Sequence, residues 1–181
     1  MLIGITGKIG AGKNTIADYI IKKYNFTPFF GSDFLAKEIT KQGLPATREN
    51  MRILGNELRE KYGSSHIIQK LLINIDIEKE NILVGFFRTI NEINYFKKLN
   101  GKKIIIAVDA EQELRFKRIK ERNSSKDNVN WEEFLKDEKI ESYSENPDKQ
   151  NMLACIKMAD IVIHNNSNLE DLYKQIDSIF N

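Results

Sequence analysis

The stretch GITGKIGAGKNT at residues 4–15 constrains the fold of this chain more than any other part of its sequence. It contains the pattern G-x-x-x-x-G-K, with further small residues inside it: Gly7, Gly10, Ala11, Gly12 and Lys13. In such a loop, backbone N–H groups and the N-terminus of the following helix surround a phosphate, while the lysine neutralises the outer phosphates. An apolar run at 2–6 and a helical pattern at 13–24 place the loop between a strand and a helix. The sequence therefore predicts a phosphate-binding loop in preference to a glycine-rich turn with a solvated lysine.

Asn14 occupies the position at which loops of this type carry a serine or threonine that holds magnesium. A carboxamide oxygen can ligate a hard cation or hold one of its waters, although it places the ion differently from a hydroxyl group. Thr15 still supplies a hydroxyl group, which in this kind of loop faces the inner phosphate. We therefore expect the loop to bind a nucleotide, with Asn14 as the candidate magnesium ligand.

Apolar runs of strand length alternate with helical patterns along the chain. Strands are predicted at 2–6, 27–30, 81–87, 102–110 and 160–165. Helices are predicted at 13–24, 33–42, 47–61, 64–77, 90–99, 111–122, 131–142, 148–158 and 168–180. Strands that are apolar throughout and separated by helices indicate an α/β fold with a parallel sheet covered on both faces. Because 181 residues with 41% hydrophobic content can form one good core, we expect a single domain over 1–181, with a polar loop at 123–130.

The charge balance and the apolar runs exclude several classes of function. Formal charge is only +2 with 28 basic and 26 acidic residues, so any anion-binding site must be local. The apolar runs have strand length and the first begins at once, which argues against membrane attachment and a cleaved signal. Cys155 is the only cysteine, so we expect a reducing cytoplasm and a buried, unreactive thiol. His66 and His164 lack the spacing of a zinc site.

Arginines occur where a substrate phosphate could bind. Arg52 and Arg59 lie two helical turns apart, so both could reach an acceptor's phosphate, although a solvated basic face is the alternative. Arg88 directly follows the third strand, and ligands of open parallel sheets bind at the carboxyl ends of strands. Glu92, one turn further on, could orient it. Arg88 is therefore the stronger candidate for substrate contact.

A second group of arginines leads into the polar loop. Arg115, Arg118 and Arg122 recur at intervals of three and four and share a helix face. This pattern is typical of a lid that closes on transferring phosphates, although a salt-bridged surface helix has the same pattern. Asp33 begins the helix after the second strand. Helix capping by Ser32 and the helix dipole explain an acid at Asp33 as well as an acceptor-orienting or general-base role does.

These residues favour a small-molecule kinase, because the guanine-recognition pattern N-K-x-D is absent and the chain is too short for a motor domain. The opening IGITGKIGAGKNTIADYI and the segment ADIVIHNNSNLEDL resemble the start and the end of dephospho-coenzyme A kinases. The tripeptide KNT is similar to the K-D-T of phage-type deoxynucleotide kinases. The segments TRENMRILGNELREKYG, VDAEQELRFKRIKER and WEEFLKDE resemble a mostly archaeal family of adenylate-kinase-like proteins. Over nearly its whole length, the chain thus resembles small P-loop kinases, a group that includes dephospho-coenzyme A kinases and nucleoside monophosphate kinases.

The resemblance implies a three-layer α/β/α fold with a five-stranded parallel sheet in the order 2-3-1-4-5. It also implies ATP as phosphoryl donor, Mg²⁺ as cofactor and a small mobile lid at about 115–135. By position, it makes Lys13 and Thr15 phosphate ligands, and Asp33 the acceptor-side aspartate. Arg118 and Arg122 match lid arginines of the group.

The match departs from the pattern at one position of a motif after the third strand. Arg88 and Glu92 match the arginine and the acid of D-G-x-R-x-x-x-E, but Gly85 replaces the aspartate. The loss of this acid, together with Asn14, puts efficient catalysis in question, so a nucleotide-binding regulatory protein with little turnover is the alternative. Binding of RNA or DNA is disfavoured, because acidic residues are interspersed among the arginines and aromatic stacking motifs are missing. For a kinase, we expect a nucleotide-like acceptor: dephospho-coenzyme A first, a nucleoside or deoxynucleoside monophosphate second.

Overall fold

The computed structural model describes residues 1–78, 80–122, 129–146 and 148–180. The strands are β1 (Leu2–Gly7), β2 (Thr27–Phe30), β3 (Ile82–Gly85), β4 (Lys103–Asp109) and β5 (Ile161–His164). The helices are α1 (Lys13–Tyr24), α2 (Gly31–Lys41), α3 (Arg48–Tyr62), α4 (His66–Leu72), α5 (Ile90–Lys98), α6 (Gln112–Arg122), α7 (Trp131–Ser142), α8 (Met152–Lys157) and α9 (Leu169–Phe180). Most of the loop predicted at 123–130, and with it the middle of the predicted lid, lies outside the described residues.

The strands form one sheet in the order β2-β3-β1-β4-β5, and every neighbouring pair is parallel. Residues of β1 alternate between the two faces of the sheet, as strand geometry requires. On one face, Ile3 packs with Ile16 of α1 and Ile176 of α9. On the other, Leu2 packs with Phe96 of α5. The α/β fold with a parallel sheet, predicted from the sequence pattern, is confirmed, as are the three layers and the strand order that the resemblance implied.

A third, smaller apolar cluster joins the phosphate loop to two helices at the carboxyl edge of the sheet. Ile9 from the loop packs there with Ile119 of α6 and Phe134 of α7. Trp131 stacks on Phe134 with ring centres 5.5 Å apart. The two helices that flank the predicted lid therefore pack directly against the phosphate loop.

Two predicted helices are shorter in the structure. The helix predicted at 148–158 begins at Met152, because Asn151 Oδ1 caps it by accepting a first-turn N–H at 3.0 Å. The helix predicted at 64–77 ends at Leu72, where tight turns replace it. Within the described ranges, every helix is too short or too polar to cross a membrane.

Candidate active site

The loop between β1 and α1 depends on glycine at two positions. Gly10 has φ +75° and Gly12 has φ +102°, a backbone region that L side chains rarely adopt. A Cβ at Gly10 would lie 2.5 Å from the Arg115 carbonyl oxygen, and one at Gly12 would lie 2.3 Å from Asn165 Nδ2. Conformation and close packing therefore both require glycine here. The surface that this loop presents to a ligand is consequently backbone, which suits phosphate binding.

Lys13 is almost entirely buried within the loop. Its Nζ donates to the carbonyl oxygens of Gly7 at 2.7 Å and Lys8 at 2.6 Å, and lies 5.7 Å from the centre of the Phe86 ring. Burial, followed by the positive field of Arg88, holds the pKa of Lys13 well below its ordinary value. An anion beside Nζ would oppose both effects, so the position of Lys13 favours phosphate binding.

Side chains from the far half of the chain hold the loop in place. Asn165, directly after β5, donates from Nδ2 to the Ala11 carbonyl oxygen at 2.8 Å. Arg115 of α6 donates from Nη1 to the Ile9 carbonyl oxygen at 3.1 Å and from Nε to that of Ala110 at 2.8 Å. The loop conformation therefore depends on partners that its own glycine pattern does not reveal. The sequence signal for Asn165 is the asparagine-rich turn in the segment that resembles kinase endings.

The three arginines of α6 share one face but lie in different environments. Arg115 is only 2% exposed and pairs through Nη2 with Glu138 of α7 at 2.5 Å, rather than with a glutamate of its own helix. Arg118 donates from Nη1 to the Asn165 carbonyl oxygen at 2.9 Å. Arg122 lines the cleft described next. Their common spacing predicted a common role, but burial separates Arg115 from the other two.

A cleft of about 400 Å³ lies beside the loop, at the carboxyl end of β3. Among the described residues, six cationic side chains line it: Lys13, Arg48, Arg52, Arg59, Arg88 and Arg122. Two carboxylates, those of Glu92 and Glu141, also line it. The cleft thus brings the loop lysine together with four of the arginines selected from the sequence, and its positive lining suits a polyanionic ligand.

Carboxylates hold two of these arginines. Arg59 donates from Nε and Nη2 to Glu92 Oε1, at 3.2 and 3.1 Å, and both side chains are about 95% buried. Glu92 Oε2 accepts the backbone N–H of Arg88 at 2.7 Å. The Arg88 guanidinium instead donates to Glu141 Oε2 at 2.5 Å. The expected contact from Glu92 to Arg88 is therefore made to the backbone, and Glu141 orients the side chain.

Several residues selected from the sequence lie outside the part of the cleft that the structure describes: Gly7, Ala11, Gly12, Thr15, Asp33 and Arg118. Thr15 lines a separate groove between α1 and Tyr173 of α9. Asp33 is exposed in the first turn of α2. The expected capping by Ser32 is wrong, because α2 begins at Gly31 directly after β2, and Ser32 lines the cleft instead.

Asn14 is exposed in the first turn of α1 and lines the cleft next to Lys13. It is not the helix cap, since Gly12 holds that position without a side-chain hydrogen bond. Among the residues that the structure describes, no three His, Cys, Asp or Glu side chains are grouped to hold a metal ion. Asn14 is thus placed to give one oxygen to a cation that nucleotide phosphates carry, which fits the magnesium proposed from the sequence.

The predicted strand 81–87 ends at Gly85, and the packing there explains the missing aspartate. A Cβ at this position would lie 2.9 Å from Cδ1 of Phe30, whose ring stacks on that of Phe86 at 5.1 Å. An acid at Gly85 would therefore have to displace the Phe30 ring. Glu141, which sequence reasoning missed, places an acid in the cleft from α7. It is 53 residues from Arg88, so no local pattern links the two.

Comparisons with known proteins give a consistent result. The AAA domain family matches residues 6–135. The UPF0200 protein MJ1399 of Methanocaldococcus jannaschii is 34% identical over 99% of this chain and 88% of its own length. A dephospho-CoA kinase of Fusobacterium nucleatum is 31% identical over 98% of this chain and 95% of its own.

Solved structures share the fold at low sequence identity. TT1252 from Thermus thermophilus has a TM-score of 0.62 at 20% identity, covering 99% of this chain and 96% of its own. Shikimate kinase from Aquifex aeolicus has a TM-score of 0.57 at 18% identity, with the same two coverages. These likenesses concern the fold alone.

Proposed function

The chain belongs to the AAA domain and UPF0200 families and has the fold of a small P-loop kinase, and on this basis we propose that it transfers the γ-phosphoryl group of ATP to a nucleotide-like acceptor. The observation that carries the proposal is the cleft, where Lys13 and five arginines from several helices and loops converge. Phosphoryl transfer depends mainly on positioning and on charge that stabilises the transferring group. A cleft with this lining supplies both.

On the donor side, the loop from Gly7 to Gly12 and Lys13 would hold the ATP phosphates. Thr15, in the first turn of α1, stays a proposed ligand of the inner phosphate, although its side chain lines the separate groove beside Tyr173. Asn14 would contribute one ligand, or one water-mediated contact, to Mg²⁺ bound with the nucleotide. The metal ion would neutralise charge on the β- and γ-phosphates as the bond to the leaving group breaks. The exposed position of Asn14 at the cleft supports this role.

On the acceptor side, Arg88 lies three residues beyond the end of β3, and Arg52 and Arg59 face the cleft from α3. These three guanidiniums would bind anionic groups of the acceptor, and Glu92 would hold Arg59 in place. Asp33, in the first turn of α2, would help to orient the acceptor. Arg118 and Arg122 would bring positive charge to the transferring phosphates from a lid at about 115–135. The whole chain, 1–181, would form one kinase domain.

Dephospho-coenzyme A is our first candidate acceptor. The reason is that a dephospho-CoA kinase of Fusobacterium nucleatum is 31% identical over 98% of this chain. A nucleoside or deoxynucleoside monophosphate is the second. The test is ADP release from Mg²⁺-ATP in a coupled assay with a panel of both kinds of acceptor. One acceptor should raise the rate well above the acceptor-free rate.

Variants assign the roles within this assay. Arg88→Ala should raise the acceptor KM more than the ATP KM, and Arg122→Ala should mainly lower kcat, because lid charge is needed most in the transition state. Lys37→Ala, an exposed lysine of α2, is the control and should match the wild type. Equal loss of ATP affinity in Arg88→Ala would place this arginine on the donor side.

A nucleotide-binding regulatory protein with little turnover is the second candidate. It is favoured by Gly85, where the Phe30 ring excludes the acid that the related motif carries. The same assay separates the two functions. Tight ATP binding without ADP release, for every acceptor in the panel, would favour regulation and contradict the kinase.

A further inference from the structure

Two carboxylates line the cleft in the described part of the chain. In one of them, Glu92, both oxygens already accept hydrogen bonds from the protein. Glu92 is 4% exposed. Its Oε1 accepts two hydrogen bonds from Arg59, and its Oε2 accepts the backbone N–H groups of Arg88 at 2.7 Å and Thr89 at 3.2 Å. With two donors on each oxygen, Glu92 has no further capacity for a ligand. Its part in the site is to fix Arg59 and the start of α5.

Glu141 differs from Glu92 in having one oxygen available. It lies in the last turn of α7 and is 7% exposed, with Oε2 bonded to Arg88 Nη1. The described residues offer no hydrogen-bond donor to Oε1. Burial raises the pKa of Glu141, but the positive charges of Arg88, Arg48 and Lys13 together hold it below its ordinary value. Glu141 is therefore an ionised carboxylate whose charge lies close to that of the loop lysine.

Two polar atoms in the described lining are buried and lack hydrogen-bond partners. Arg59 Nη1 and Gln150 Oε1 have no hydrogen-bond partner among the described residues, and both side chains line the cleft. Arg59 is 4% exposed, and a Cβ on Gly55 would lie 3.1 Å from its Nη1, so the glycine leaves room around this atom. Buried polar atoms are rarely left unpaired in folded proteins. These two atoms, a donor on Arg59 and an acceptor on Gln150, therefore predict a ligand that both accepts and donates hydrogen bonds.

Among the described residues, a carboxylate oxygen without a donor lines the same cleft as unpaired donor and acceptor atoms, which distinguishes a phosphate acceptor from an alcohol acceptor. A phosphate acceptor presents oxyanions, which have no proton to donate and are repelled by a carboxylate. An alcohol donates its hydroxyl hydrogen to a carboxylate and becomes a better nucleophile as it does so. The anionic groups of such a molecule would bind elsewhere in the cleft, where Arg52 and Arg59 Nη1 lie.

Resting on the proposed kinase function, we infer that the accepting atom is a hydroxyl oxygen, and that Glu141 is a catalytic residue that orients this hydroxyl group through Oε1 and accepts its proton. In the reaction, the hydroxyl oxygen forms a bond to the γ-phosphorus. The bond from that phosphorus to the bridging β,γ-oxygen breaks, and ADP leaves with the electron pair. The proton passes to Glu141 and then to water. Since the transition state is loose, the proton moves late, and a weakly basic carboxylate suffices.

The first test is Glu141→Gln, measured with Mg²⁺-ATP and dephospho-coenzyme A. The carboxamide oxygen can still accept from Arg88, but the side chain cannot take a proton. We expect kcat to fall by about 10²-fold or more, with the ATP Kd unchanged within about twofold. Glu141→Asp should recover part of kcat, which a merely structural role would not predict. Glu132→Gln, an exposed acid on the same helix, is the control and should keep wild-type kcat.

The second test identifies the accepting atom by ³¹P NMR of the product, with dephospho-coenzyme A and AMP as probes. A phosphomonoester signal together with loss of kcat in Glu141→Gln supports the inference. A phosphoanhydride signal, or wild-type kcat in Glu141→Gln, overturns it and leaves the kinase function standing. ATP that stays unconsumed with both probes and the whole acceptor panel contradicts the kinase function itself, and the inference with it.

Discussion

Arg115→Met removes the guanidinium that joins the phosphate loop to α7. In the structure Arg115 is 2% exposed, pairs with Glu138 at 2.5 Å and donates to the carbonyl oxygens of Ile9 and Ala110. Methionine fills much of the space but leaves the Glu138 carboxylate, whose side chain is 10% exposed, without its cation. Removing one partner of a buried ion pair costs about 3–5 kcal/mol. For a chain of this size, where 1 kcal/mol shifts Tm by about 2–4 °C, this corresponds to a fall of about 6–20 °C.

The assay is urea unfolding followed by circular dichroism, with a thermal scan in parallel. The double variant Arg115→Met/Glu138→Leu tests the cause, because replacing a whole buried pair with apolar side chains is often neutral or stabilising. We expect it to recover most of the loss. Lys117→Met, on the same helix with a side chain 72% exposed, is the control and should stay within about 0.5 kcal/mol of wild type.

Two results would refute this reasoning. One is a loss below about 1 kcal/mol in Arg115→Met, the range of an exposed ion pair. The other is a double variant as unstable as the single one, which would mean that the lost contacts to the loop carbonyls, rather than the stranded carboxylate, set the cost.

Other predictions concern the loop, the metal, the pH dependence and the thiol. Lys13→Ala should keep the fold and lose ADP release, because the positive charge on the outer phosphates is gone. Near-normal turnover would contradict the role of this segment as a phosphate-binding loop. Asn14→Ser should lower the Mg²⁺ concentration for half-maximal activity and Asn14→Ala should raise it, and superimposable Mg²⁺ titrations would exclude Asn14 from metal binding. Because the folded-state pKa of Glu141 is lowered, its contribution to stability is present above the unfolded pKa of about 4.3 and is lost as pH falls through the folded pKa, so Glu141→Gln should flatten the acid limb of Tm against pH. Burial raises the pKa of Cys155 to about 12, so a thiol reagent at pH 8 should label it only after unfolding, and rapid labelling of the folded protein would contradict its burial.

The sequence alone determined the features that repeat locally along the chain. Apolar runs predicted all five strands. The reason, burial on both faces of the sheet, is plainest for β1, β3 and most of β4, which are buried, whereas the edge strands β2 and β5 are partly exposed. The glycine spacing before Lys13 predicted the phosphate loop, since the φ values at Gly10 and Gly12 are accessible mainly to glycine. These predictions succeed because backbone sterics and burial act on neighbouring residues, and the order of the strands followed from the resemblance that the same motifs carry.

Only the tertiary structure decided which charged side chains meet. Arg115 and Arg122 are seven residues apart on one helix, yet one is buried against Glu138 and the other lines the cleft. Arg88 is held by Glu141 from α7, although Glu92 lies one turn away in sequence. A sequence gives the charge and the spacing of each residue, but the partner of a buried charge depends on which helices pack together over the sheet. Long-range packing thus selects Glu141 as the available acid of the cleft, because the Phe30 ring fills the space at Gly85 where a local pattern would put one.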